Sequence, residues 1–285
     1  ELLSIEQCRL RVGDMACDIV SDIRFGEPPV SFDGSIRLNG NTATLKPLLE
    51  TILPGTVDIT QGNITSDISF SGSPVDPTLS FSASADTITV YDVPCRNITL
   101  KGTFTDHAVQ VEKLAFSALK GTISGSGTLN TDSLFTHDAA LELDRIHLDS
   151  VWHAFKSGRS PYAGYIDGGI ESRGPLRNPL NCSSSADFTL KNVLFRSKAV
   201  SNFNCRASFE DKHLLVKVNQ PKMEVYADLS FAEKTVSGSF GLTTAHPGFL
   251  AGFADVFGLN GTLDIRGEIS GETARPRITL GFSGQ

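Results

Sequence analysis

The segment GNITSDISFSGSPVDP, residues 62–77, decides the fold of this chain. Its apolar residues Ile64, Ile68 and Phe70 share one parity, and serine and aspartate residues occupy the other. A period of two puts alternate side chains on opposite faces of a strand, so the segment predicts a β-strand with one apolar face. The Gly-Ser-Pro sequence at 72–74 predicts a turn that leads into the next strand.

The same arrangement occurs twice more, as GYIDGGIESRGPLRNP at 164–179 and GTLDIRGEISGETARP at 261–276. In each copy a second glycine follows the first after ten residues, and a proline follows after five more. The copies start 102 and 97 residues apart, which predicts repeat units of about 100 residues. The repeat-defining residues are Gly62, Gly72, Pro77, Gly164, Gly174, Pro179, Gly261, Gly271 and Pro276.

Period-two runs of five to eight residues, separated by turn formers, continue along most of the chain and predict an antiparallel meander. Three stretches instead carry the apolar spacing of a short amphipathic helix, at 45–53, 148–155 and 247–257. These helices would open successive units. The predicted organisation is therefore leading strands of an incomplete repeat at 1–44, unit 1 at 45–147, unit 2 at 148–246 and a truncated unit 3 at 247–285. Because the given sequence ends within the predicted third unit, we expect the natural protein to be longer.

The charge balance and the aromatic composition indicate which classes of partner suit this chain. The 285 residues include 25 basic and 32 acidic ones, a net charge of −7, which argues against nucleic acid as a partner. Aromatic residues are mostly phenylalanine, with 18 Phe against 4 Tyr and 1 Trp. Tyrosine and tryptophan are typical of polar recognition surfaces, whereas phenylalanine suits either an ordinary core or a surface that stays apolar.

No catalytic or metal-binding pattern is present in the sequence. It contains no G-x-S-x-G and no phosphate-binding glycine loop, and its six histidines lack the spacing of metal ligands. The five cysteines form no C-x-x-C pair. Cys8 and Cys17 are placed to pair across a hairpin in an oxidising compartment, whereas Cys95 and Cys205 are expected to be small buried apolar residues. We therefore predict a protein that is not an enzyme and needs no metal or cofactor.

The segments 140–179 (ALELDRIHLDSVWHAFKSGRSPYAGYIDGGIESRGPLRNP) and 261–284 (GTLDIRGEISGETARPRITLGFSG) resemble the recurring strand–Gly–Pro–strand signature of the AsmA-like/TamB superfamily. The resemblance covers most of residues 30–285. It implies a mostly-β fold: an elongated, curved antiparallel sheet, or β-taco, forming a hydrophobic groove, built of repeats with short helices between them. It also implies a periplasmic protein of a Gram-negative envelope, held by an inner-membrane anchor that this sequence lacks. The implied role is phospholipid transport to the outer membrane, or outer-membrane assembly with a β-barrel partner.

Physical reasoning supports an apolar partner for such a sheet. One apolar sheet face must be covered by a helix, a second sheet or a ligand, and three short helices are too few for some sixteen strands. Phospholipid acyl chains meet that need without specific hydrogen bonds, whereas in a closed sandwich the same side chains would pack against one another. The residues predicted to line a lipid groove are Ile64, Ile68, Phe70, Leu79, Phe81, Ile88, Val90, Ile98, Leu100, Phe104, Phe116, Phe188, Leu190, Phe203 and Phe209.

Two other functions compete with lipid binding. The first is a structural or assembly module whose exposed sheet edges pair with client strands or with a β-barrel partner. The second is a right-handed β-helix enzyme or adhesin acting on polysaccharide. A β-helix repeats every 20–25 residues or so, and the spacing near 100 residues in this chain argues against it.

Overall fold

The computed structural model describes residues 2–25, 30–42, 59–90, 92–131, 135–156, 158–195, 198–199, 202–220, 223–232, 234–244 and 261–284. The chain divides into two compact units, Glu1–Leu141 and Glu142–Gln285. Strands predominate in both units, which confirms the mostly-β class. The division into three repeat units predicted from the sequence stays a prediction.

The first compact unit is built from antiparallel strands that each pair with the next strand along the chain, as described for β1 to β8. Short hairpins connect many of them; Asp106 and His107, for example, form the turn at 105–108 with positive φ angles. The predicted antiparallel meander is confirmed. The strands are β1 (Leu2–Val12), β2 (Met15–Arg24), β3 (Ser31–Asn41), β4 (Ile59–Gly72), β5 (Pro77–Val90), β6 (Val93–Thr105), β7 (Ala108–Ala118), β8 (Gly121–Asn130) and β9 (Thr136–His147). The boundary between the two compact units falls within β9.

The second compact unit continues in the same way. The two residues of β12 pair with the end of β11, and β13 pairs with the rest of β11. From β13 to β18 every strand pairs antiparallel with its successor. The strands are β10 (Tyr162–Pro175), β11 (Ser183–Phe195), β12 (Lys198–Ala199), β13 (Phe203–Glu210), β14 (His213–Gln220), β15 (Met223–Phe231), β16 (Thr235–Thr244), β17 (Leu263–Glu272) and β18 (Arg275–Gly284).

One of the three predicted helices lies among the described residues. Helix α1 (Leu148–Phe155) matches the prediction for 148–155 and packs against β10. The indole of Trp152 contacts the ring of Tyr162 with 5.6 Å between centroids, and the Lys156 Nζ lies 4.9 Å from the indole centroid. The helices predicted at 45–53 and 247–257 fall outside the described residues.

The repeated glycines share an unusual backbone conformation. Both glycines of each copy have φ between +110° and +149° (Gly62, Gly72, Gly164, Gly174, Gly261 and Gly271). Gly72 lies opposite Pro77, and Gly271 lies opposite Pro276, across their hairpins. In the second copy a 3-10 turn, Pro179–Asn181, lies between the glycine and the next strand. The three copies therefore share a strand–glycine–turn geometry. Glycine is required at these positions because only glycine adopts such positive φ angles without strain.

Few apolar side chains are buried among the described residues, and some of them lie beside β-bulges. Asn97 and Asn192 have φ of 52° and 50° at positions where the strand register shifts. Such a bulge bends the strand and re-aims the following residue, here Ile98 and Val193. The buried apolar residues among those described are Ala85, Ile88, Cys95 and Ala118 in the first unit and Ile146, Cys182, Val193, Phe203 and Val236 in the second. Most other apolar side chains keep some accessible surface.

Candidate functional site

One face of the sheet in the first unit carries the apolar side chains. The strand register places Ile19, Ile36, Ile68 and Phe81 in one row across β2 to β5. A neighbouring row aligns Phe70, Leu79 and Phe104. Because opposite residues in an antiparallel pair point to the same side, these rows form a continuous surface. We call this side the apolar face and the reverse side the polar face of each unit.

Eleven of the fifteen residues predicted to line a groove lie in the first unit, and four lie in the second. Thirteen are half-buried, whereas Ile88 and Phe203 are buried. Ile88 is opposite the buried Cys95, and Phe203 is opposite Leu190. Ile88 and Phe203 are therefore core residues of their units, and the surface open to a ligand comes from the other thirteen.

The second unit has an apolar face that the sequence-derived list only partly covers. Phe188, Cys205, Val218 and Val225 form one row across β11 to β15. The row continues through residues the list did not include, Leu242, Ile265 and Phe282, and a parallel row ends in Phe240, Gly267 and Leu280. The alternation of Ile278, Leu280 and Phe282 is the signal in the sequence that indicates this part of the apolar face.

Phenylalanine rings on the apolar face lie over glycines of the neighbouring strand. A Cβ added at Gly34 would lie 2.6 Å from the Cζ of Phe70, and one at Gly102 would lie 2.7 Å from the Cζ of Phe81. Each ring thus occupies the space that a side chain at the glycine would fill, and extends along the sheet instead of away from it. These phenylalanine rings therefore project less far above the sheet than rings that point straight away from it.

The polar face carries ion pairs between adjacent strands. Arg9, Asp18, Arg37 and Asp67 lie opposite one another on β1 to β4 and alternate in charge. The Arg9 Nε lies 2.5 Å from an Asp18 oxygen, and the Arg37 Nε lies 2.7 Å from an Asp67 oxygen. The hydrogen bond from Arg9 holds the pKa of Asp18 below its usual range. These side chains are 33% to 70% exposed, so the ion pairs contribute little to stability and mainly identify the side of the sheet that faces water.

A second polar cluster lies on β9 to β11. The Lys191 Nζ lies 2.8 Å from one oxygen of Asp167, and the backbone N–H of Arg145 donates to the other oxygen at 2.7 Å. The Arg145 guanidinium lies 5.6 Å from the centroid of the Tyr165 ring. The hydrogen bond from Lys191 lowers the pKa of Asp167, and the bond from Arg145 acts in the same direction. Asp167, on β10, thus finds both partners on the neighbouring strands β9 and β11.

The cysteines carry no reactive arrangement in the described part of the chain. Cys8 lies opposite Ile19 and Cys17 lies opposite Leu10, so the two thiols are diagonal neighbours, and both are free. Burial raises the pKa of the Cys95, Cys182 and Cys205 thiols, which disfavours the nucleophilic thiolate. Among the described residues, no group of three or more His, Cys, Asp or Glu side chains is placed to hold a metal ion.

Comparison with protein-family models, curated proteins and solved structures found no match to this chain. The resemblance to the AsmA-like/TamB superfamily therefore rests on the repeated motif alone. No helix in the described ranges is both long and apolar enough to cross a membrane.

Proposed function

We propose that the apolar face binds the acyl chains of phospholipids. The observation that carries the proposal is the partial exposure of thirteen of the fifteen residues predicted to line the groove. Their side chains are aliphatic or phenyl groups, which offer an acyl chain contact surface and no hydrogen bonds. Each methylene removed from water on such a surface contributes about 0.8 kcal/mol, so the two acyl chains of a phospholipid together favour its retention.

The biological role that we propose is conduction of phospholipid between the inner and outer membranes through the periplasm. The antiparallel meander of long strands supports this role, because a face that continues from strand to strand offers a path rather than one pocket. The strand–glycine–turn geometry at all three motif copies supports the resemblance on which the location and the inner-membrane attachment depend. On this proposal the protein is not an enzyme and takes no metal or cofactor.

Native mass spectrometry tests the proposal directly. We would express the 285-residue chain in a Gram-negative periplasm, purify it without detergent and record its mass before and after lipid extraction. Phospholipid that co-purifies, and that organic extraction identifies, is the expected result. A mass equal to the bare 30.6 kDa chain, with no lipid recovered after gentle extraction, would contradict acyl-chain binding.

The alternative function is an assembly module that pairs by its sheet edges with client strands or an outer-membrane β-barrel. Complexes formed in this way depend on backbone hydrogen bonds and survive delipidation. Phospholipid bound to the apolar face is instead displaced by apolar competitors, so the two functions are separable in one preparation.

A further inference from the structure

Two tyrosines on the polar face of the second unit have different surroundings. The Arg145 guanidinium lies over the Tyr165 ring, 5.6 Å from its centroid. The Tyr226 ring instead lies over Gly241 of the neighbouring strand, where an added Cβ would be 2.8 Å from the Cζ of the ring. Among the described residues no aromatic ring or cation stacks on its outer side, and Tyr226 is 36% exposed. Tyr226 therefore presents a flat aromatic surface along the sheet.

Exposed charged side chains of both signs surround the Tyr226 ring. Lys217 lies opposite Tyr226 on β14, and Arg266 lies opposite Gly241 on β17. Two carboxylates flank the ring on β15 itself, each two residues from the tyrosine and so on the same face. The four charged residues are Lys217, Glu224, Asp228 and Arg266. We call these four residues and Tyr226 the Tyr226 platform.

Arg266 is held in position by its neighbours on the polar face. Its Nε and Nη2 lie 3.1 Å and 3.0 Å from one oxygen of Asp264, and the Thr243 hydroxyl donates to the other oxygen at 3.4 Å. A guanidinium has five N–H donors, so others remain for a ligand, and the Arg266 side chain is 76% exposed. Because this donor group is already fixed, a ligand pays less for ordering it.

We propose that the Tyr226 platform binds a neutral oligosaccharide built of pyranose rings. A pyranose with equatorial hydroxyls has a face of C–H groups, whose weak positive charge is attracted to the negative face of an aromatic ring. Its hydroxyls lie around the rim, and each both donates and accepts hydrogen bonds, so they suit cations and carboxylates alike. Strands are about 4.8 Å apart, which places Lys217 and Arg266 roughly 14 Å apart across the sheet. The platform is therefore longer than one sugar ring.

The charges around the ring disfavour other ligands. Glu224, Asp228 and Asp264 place three carboxylates beside the two cations of the platform, so an anionic polymer is repelled. An apolar ligand would have to remove water from all of these charges. The platform is on the opposite side of the sheet from the proposed acyl-chain surface, so the saccharide inference does not depend on the proposed lipid function.

Isothermal titration calorimetry with cellotetraose, a neutral oligomer of β-linked glucose, tests the inference. We expect saturable binding to the 285-residue chain, and none of the anionic polygalacturonate. Tyr226→Ala removes the ring and should weaken binding of cellotetraose at least about tenfold, whereas Tyr226→Phe keeps the ring and should retain most of the affinity. Extraction of lipid beforehand should leave the affinity unchanged, which separates this result from the lipid proposal.

Tyr165→Ala is the matched control, since it removes the same side chain from the same face at a ring that Arg145 already covers. We expect it to bind cellotetraose as the parent does, and circular dichroism confirms that each variant keeps its strands. If Tyr226→Ala does not fold, Lys217→Met, which removes an exposed donor of the platform, must weaken binding for the inference to stand. The inference is overturned if cellotetraose does not bind the parent, if polygalacturonate binds as tightly, or if folded Tyr226→Ala binds no more weakly than Tyr165→Ala.

Discussion

The ring of Phe240 lies over Gly267, the residue directly opposite it on the neighbouring strand. The three atoms nearest to a Cβ added at Gly267 all belong to that ring. Tyr226 and Gly241 form an equivalent pair on the polar face, and there the three nearest atoms are two ring carbons and the hydroxyl oxygen of Tyr226. Strand β16, which carries both Phe240 and Gly241, thus takes part in a ring-on-glycine contact on each of its faces.

Replacement of Gly267 by alanine should lift the Phe240 ring into the space above the apolar face. Overpacking of this kind costs about 1–3 kcal/mol, so we expect affinity for an acyl chain to fall about tenfold. Titration of the purified protein with a phospholipid that carries a fluorescent acyl chain measures the effect. Adding Phe240→Leu to Gly267→Ala should restore binding, because the shorter side chain no longer meets the new methyl group.

Gly241→Ala is the control for this experiment. It displaces Tyr226 on the polar face at a comparable cost in stability, and should leave acyl-chain affinity unchanged. Equal losses of affinity in the two variants would show that the ring position matters only for folding. If the parent chain binds no lipid at all, the proposed function fails whatever these variants do.

Phe81→Asp should abolish lipid uptake while the fold is retained. Phe81 lies on the open part of the apolar face, opposite Ile68 and Gly102, and is only half-buried. A carboxylate there remains hydrated in the free protein, but an acyl chain would have to desolvate it. Lipid recovered by extraction from the purified variant measures the loss, and Ser82→Asp, the next residue on the polar face, should retain lipid as the parent does.

The same pair of variants separates an open face from a closed sandwich. If Phe81→Asp unfolds while Ser82→Asp is stable in a thermal melt, the Phe81 side chain belongs to a closed core. The residues of the apolar face would then pack against one another, as the closed-sandwich alternative predicts.

Gly271→Ala should destabilise the chain by about 1–2 kcal/mol, because φ of 110° is strained for any residue with a Cβ. No atom lies within 3.7 Å of the added methyl group, so the backbone strain acts alone there. Gly72→Ala should cost about 3 kcal/mol or more, since it adds a 2.5 Å contact with the Asp76 carbonyl oxygen to the same φ.

Denaturant unfolding measures both changes, with Gly281→Ala as the control. Gly281 has no positive φ and its nearest atom is 3.8 Å away, so its replacement should change stability by less than about 0.5 kcal/mol. A cost at Gly271 no larger than at Gly281 would contradict the conformational explanation of the repeated motif.

Stability should depend on pH through Asp167 and Lys191. The pKa of Asp167 is lowered in the folded protein, so its carboxylate contributes stability above its unfolded-state pKa and loses this contribution as the pH falls through the folded-state value. The pKa of Lys191 is raised by the same hydrogen bond, so its contribution is present below its unfolded-state pKa and is lost as the pH rises through the folded value.

We therefore expect Asp167→Asn to be less stable than the parent at neutral pH, with a difference that shrinks as the pH falls through the unfolded-state pKa of the Asp167 carboxyl and then through its lower folded-state pKa. Thermal melts at a series of pH values measure the difference. Asp187→Asn breaks an ion pair with Arg206 whose side chains are 60% and 77% exposed, and should change stability by less than about 0.5 kcal/mol. A difference for Asp167→Asn that does not vary with pH would contradict the assignment.

Local patterns allowed the sequence to predict much of the fold. Alternation at Ile64, Ile68 and Phe70 predicted a strand and its apolar face, and the structure confirms β4 with these side chains half-buried. Helical spacing at 148–155 predicted α1. The Gly-Ser-Pro sequence at 72–74 predicted a turn, and Gly72 has a positive φ at the hairpin where it lies opposite Pro77. These features are decided within a few residues of the chain, since periodicity and glycine conformation are local properties.

Three-dimensional pairing decided the rest. Period two places Ile88 and Phe203 on the apolar side, but only the register shows that Ile88 meets Cys95 in a closed core while Phe81 lies over Gly102 on the open face. The sequence by itself determined which residues form strands and which side of each is apolar. The register, bulges and strand order decided which apolar residues are buried and which remain accessible, because burial depends on neighbours far away in the chain.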